Sequence, residues 1–133
     1  MTEIKLNFHP RYLITRLGIM TTMELVFAFC VILLYYFGGC TFLLACAAFL
    51  MLFNNLYIWL SALLTDEHVK IPFYNAIFHG CGAYLYIVIS IIWFVTEFHN
   101  WKEPVWGIAA HSISIKVGIT HGIHAVSAAL GKI

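Results

Sequence analysis

The sequence predicts an all-α membrane protein, four transmembrane helices forming an antiparallel up-down bundle. Three observations lead there. Of 133 residues, 62% are hydrophobic and 10% charged, against roughly 45–50% apolar and about 25% charged in an ordinary soluble domain. The apolar residues are gathered into four runs, each reaching the roughly 20 residues that cross a hydrocarbon core of about 30 Å. The links between runs are short, which makes consecutive helices antiparallel neighbours.

The same numbers exclude other classes. A mean hydropathy of +0.91 leaves too much apolar side chain for a soluble enzyme core to hide, and disordered chains are poor in apolar residues. A net charge of +1 provides no basic face for nucleic acid.

The spans are read as residues 17–37, 40–64, 71–95 and 105–130, a single four-span domain over residues 1–133. The first apolar run is longer than the roughly 7–15 residues of a cleaved signal core, so it is expected to be both signal and anchor. Thr2 is not a myristoylation glycine, and the chain carries no CaaX box and no glycosylation sequon. The second span is joined to the first by Gly38-Gly39, and the third follows the turn TDEHVK at residues 65–70. The fourth is the most polar, with Lys116 and three histidines.

Lys5, Arg11, Arg16, Lys70 and Lys132 lie on one side of these spans and only Lys102 on the other. Positive residues concentrate on the cytoplasmic side, so both termini are expected there, with the protein multi-pass in the plasma membrane or vesicles. Trp93, Trp101 and Trp106 fall where an outer aromatic belt would lie. Cys30, Cys40, Cys46 and Cys81 form no CxxC and read mainly as small apolar core residues, the alternative being palmitoylation or outer pairing. P-loop, GxGxxG and GxSxG motifs are absent.

The polar residues inside the spans are the informative ones, because a central Lys or Asp costs about 2.5–3.5 kcal/mol to insert. Counting the helix rise from the inner ends puts Glu24 about 10 Å deep, Asn54 and Asn55 about 14 Å, and His79 about 12 Å. On the fourth span His124 and His121 lie about 9 and 14 Å deep, and Lys116 about 21 Å. Every span thus offers a polar group to one layer. The favoured reading is interhelical glue, with Glu24 paired to His121, His124 or Lys116 and with Asn54 and His79 completing the network. This reading needs no metal and no cofactor. The alternative is haem b, with His79 and His121 or His124 as axial ligands; the segment THGIHAVSAALGK resembles the haem-ligand helix of succinate dehydrogenase membrane anchors. A third reading is a proton or ion path through Glu24, the histidines and Lys116.

The fourth span also carries Ala110, Ser114, Gly118 and Gly122 at intervals of four. Such a stripe lets another backbone approach closely. It either packs inside the bundle or presents a seam to another membrane protein or a second copy.

Three stretches support a likeness to a known family: TTMELVFAFCVILLYYFGG, PFYNAIFHGCGAYLYIVISIIWF and GIAAHSISIKVGITHGIHAVSAAL. In them the chain resembles the MARVEL-like tetraspan proteins, and among these the insect snakeskin-type proteins of smooth septate junctions. The resemblance implies a non-enzymatic protein that organises cell junctions or vesicle membranes through lateral association with lipids and other membrane proteins. The bare Gly38-Gly39 link is shorter than the outer loop of such proteins. The runner-up function, from the histidines, is a haem-binding or membrane-anchor subunit of an electron-transfer complex.

Overall fold

A computed structural model describes residues 6–64, 72–102 and 104–132, with the side chain of Pro72 left aside. Lys5, Lys70 and the turn at residues 65–70 lie outside the described residues. Within them the chain folds into four long helices, α1 (Arg16–Tyr36), α2 (Phe42–Leu64), α3 (Pro72–Ile92) and α4 (Pro104–Ala129).

The helix ends follow local chemistry. Ahead of α1, a short 3-10 turn at Pro10–Ile14 buries Tyr12. Thr15 caps α1, its Oγ1 accepting from the amide of Gly18 at 3.0 Å. Thr41 does the same for α2, toward Leu44 at 3.3 Å. Pro72 and Pro104 open α3 and α4, where the missing N–H loses no helical bond. The ends of α1 and α4 share one motif. Gly38 and Gly131 take positive φ, 72° and 64°. The following amides then reach back five residues, Gly39 to Leu34 at 2.9 Å and Lys132 to Ser127 at 2.9 Å. The last turn of α2 is closed differently, by the N-terminal segment: Asn7 N–H donates to the Leu64 carbonyl at 3.0 Å and His9 N–H to that of Leu63 at 2.8 Å.

Three apolar helical runs are long enough to cross a membrane: Arg16–Tyr36, Phe42–Leu64 and Phe73–Asn100. The third extends beyond α3 through a π turn at Trp93–Glu97 and a 3-10 turn at Phe98–Asn100. At 26 residues α4 is as long, but its histidines, Lys116, serines and glycines make it less apolar. Packing joins α1 to α2, α2 to α3, α3 to α4 and α4 back to α1, the α3–α4 contact being the most extensive.

Inside and outside are inverted relative to a soluble protein. Glu24, Asn55, His79, His111, His121 and His124 are buried. Large apolar side chains face outward instead, including Val26 and Phe29 on α1, Leu50 and Phe53 on α2, Ile77 on α3 and Ile123 on α4. The apolar part of the core combines small and medium residues, among them Ala28, Val31, Leu44, Ala48, Met51 and Val117, with two large aromatic ones, Tyr86 and Trp93.

Two sequence expectations change here. Trp93 is not a belt residue: it is 1% exposed, because the helix continues past it and because Gly107 leaves a gap that its ring fills. A Cβ on Gly107 would collide with that ring. Trp106 is exposed and stacks on Phe37, with 5.6 Å between centroids. The cysteines are also not uniformly core residues. Cys40 is buried and Cys30 half-buried, while Cys46 and Cys81 face outward, all four as free thiols.

Candidate functional site

The predicted polar layer resolves into one tight cluster from three helices. On α1, Thr21, Glu24, Ala28 and Val31 recur at helical spacing and share the buried face. Glu24 therefore points inward with no exposure. On α4, His121 and His124 stand three residues apart, on one face, and both are buried. On α3, His79 projects into the same space. Gly82, one turn further on, leaves room for the His121 ring: a Cβ there would lie 3.2 Å from the ring's Cγ and Nδ1, and 3.1 Å from Met51 Sδ.

The donor atoms converge. Glu24 Oε1 lies 3.2 Å from His124 Nδ1 and 3.5 Å from His121 Nδ1, and Oε2 lies 3.5 Å from His79 Nδ1. His79 Nδ1 and His121 Nδ1 are 2.8 Å apart. One of these two must carry the proton and the other accept it. The rings of His79 and His124 stack with centroids 3.6 Å apart, and Tyr86 stacks on His121 at 5.6 Å. Glu24, His79 and His121 can each place a ligand atom within 4.8 Å of the others, so these are the residues able to hold a metal ion. The imidazoles touch each other, and the cavity bordering His79 and His124 measures about 30 Å³, the volume share of one water molecule.

The rest of the layer falls elsewhere. Lys116 is exposed on the outer face of α4: five residues before His121, it is turned about 140° away around the helix. Depth alone groups it with the histidines; direction removes it. Asn54 is half-buried and accepts a 2.8 Å hydrogen bond from the Tyr74 hydroxyl at Oδ1, tying α2 to α3 apart from the cluster. Asn55 is fully buried with no hydrogen bond to its side-chain amide.

The small-residue stripe is used within the chain. Ala110, Ser114 and Gly118 are buried. A Cβ on Gly118 would meet Ile87 Cγ1 at 2.6 Å and the Ala83 carbonyl oxygen at 3.2 Å, so α3 occupies this face. Of the two alternatives for the stripe, packing within the chain describes Ala110, Ser114 and Gly118. Only Gly122 leaves the contact. It is half-buried, and a Cβ added to it would stand 3.8 Å from that of Ala83. It lines an outer groove with Ile119, Ile123 and Val126.

A second polar site escapes the sequence reading. His111 is buried, stacks on Trp93 with centroids 4.4 Å apart, and places Nδ1 3.3 Å from Ser90 Oγ. Its signal is present in the spacing. By the same rise count, Ser90 and His111 lie about 8 and 9 Å in from the outer ends of their spans, a shared depth outside the inner layer.

No protein-family model, no curated protein and no solved structure matches the chain.

Proposed function

We propose that this chain is a four-span membrane-organising protein of the MARVEL-like kind, without a catalytic task, acting by lateral association with lipids and other membrane proteins in junction or vesicle membranes. One observation carries the reading: on all four helices, α4 included, large apolar side chains face outward while the histidines and Glu24 point inward, with Lys116 the exposed charge in the middle of α4. Such a surface is suited to lipid and to other helices, and little else of the chain is available to bind anything. On α4 the outward row Ile108, Ile119, Ile123 and Val126 supports counting it as the fourth span in an antiparallel up-down bundle. The bias of Lys and Arg supports placing both termini in the cytoplasm.

Because α3 covers most of the α4 stripe, lateral contact is assigned to outward grooves. One runs along α3 past Ile77, Gly80, Cys81 and Tyr84, and the other passes Gly122 on α4. The test is a copy tagged at either end and expressed in cells. Both tags should be reached by antibody only after the plasma membrane is permeabilised. The protein should collect at cell contacts or on vesicles and crosslink to neighbours through Cys81. A tag exposed to the outside, or residence in mitochondria with a Soret band in the purified protein, would overturn the reading in favour of an electron-transfer subunit.

A further inference from the structure

We propose that Glu24, His79 and His121 form an intramembrane site for a divalent transition-metal ion of the zinc class, with His124 as a positioning residue that holds the carboxylate. The inference goes beyond membrane organisation and does not rest on it, since it needs only that α1, α3 and α4 meet as they do.

The carboxylate is the starting point. Glu24 has no exposure, and a buried carboxylate needs a compensating charge or a full set of hydrogen bonds. Among the described residues its paired groups are three imidazoles. Only the 3.2 Å contact to His124 falls within ordinary N–H···O length; the two at 3.5 Å are too long. Oε2 has no hydrogen-bond partner. Imidazole protons alone thus leave the group poorly satisfied.

A metal ion accounts for the same geometry directly. Zinc bonds of about 2.0–2.2 Å to nitrogen and oxygen set tetrahedral ligand–ligand edges of about 3.3–3.5 Å. The Nδ1 atoms of His79 and His121 stand 2.8 Å apart, each lies 3.5 Å from a different Glu24 oxygen (Oε2 for His79, Oε1 for His121), and one ligand atom from each residue falls within 4.8 Å of the other two. The two nitrogens need to separate by roughly 0.5 Å to admit the ion. Two imidazoles and a carboxylate suit zinc and its neighbours in softness. The cavity of about 30 Å³ bounded by Tyr12, Ile58, Asn75, His79 and His124 has room for one water on the His79 side of the cluster. His124 Nδ1–H donates to Oε1 and its ring lies against His79, the outer-shell position that orients a ligand carboxylate.

The experiment titrates Co²⁺ and Zn²⁺ into the full chain purified in detergent and stripped by chelator, with helix content followed by circular dichroism. The expected result is one ion per chain, with visible Co²⁺ absorption of a four-coordinate nitrogen–oxygen site. His79→Ala, His121→Ala and Glu24→Gln should each weaken binding more than about 100-fold, and His124→Ala by about 10–100-fold. His99→Ala, in the outer link, should change nothing. Folded wild-type protein that takes up no stoichiometric ion overturns the proposal even if every variant misfolds. So does binding that survives the His79→Ala/His121→Ala double change. Neither result touches the tag and localisation test of membrane organisation.

Discussion

The two buried histidine sites of this protein differ in how they satisfy polar groups away from water. The outer one is small: His111 lies flat on Trp93, reaches Ser90 at 3.3 Å, and joins α3 to α4 alone. The inner one gathers a carboxylate and three imidazoles from α1, α3 and α4. His111 is held by an aromatic face and one hydroxyl, and its buried Nε2 has no hydrogen-bond partner among the described residues. A carboxylate recruits everything within reach, and a third helix with it. Glu24 on α1 is the residue that brings a third helix into the inner site.

This contrast can be broken by removing the charge. Glu24→Leu leaves three imidazoles facing a void of the wrong polarity, and should lower unfolding stability in detergent by about 3 kcal/mol. Guanidine-free thermal melts followed by circular dichroism would measure it. Next in size is Gly118→Leu, between the two sites. Its side chain overlaps Ile87 and the Ala83 backbone, so α3 and α4 should part at a cost of about 2 kcal/mol. His111→Phe keeps the stack on Trp93 and loses one hydrogen bond, so about 0.6 kcal/mol is expected. A loss as large as that of Glu24→Leu would mean that the outer site is no less demanding than the inner one. Smallest is Gly122→Leu: the new side chain points into the outer groove, folding should change by less than about 0.5 kcal/mol, and only crosslinking to neighbours should fall.

Much of this is legible in the sequence, and the remainder is hidden for a geometric reason. The ends of α1 and α2, at 36 and 64, lie within a residue of the expected 37 and 64, whereas the third apolar helical run goes on to Asn100, past the expected 95; a run long enough to cross a bilayer shows directly in the sequence, while its continuation through irregular turns does not. Depth alone brings Glu24, His79, His121 and His124 together. Depth is one coordinate of a helical residue, however, and direction around the axis is the other. Lys116 and Asn54 share the depth range but not the direction. For Lys116 the direction is readable, since its offset from His121 follows from spacing alone. For Trp93 it is not, because its inward turn depends on the gap above Gly107 on a helix reached only through tertiary packing.

The capping of α2 by the N-terminal segment sets an order in time. Residues 7–9 leave the ribosome about 55 residues ahead of Leu63 and Leu64, whose carbonyls they will bond. At about 5–20 residues per second that is an interval of roughly 3–11 s. Throughout it, residues 7–9 have been made but the carbonyls they bond in the folded protein have not, so this closure of α2 forms only after α2 itself is complete.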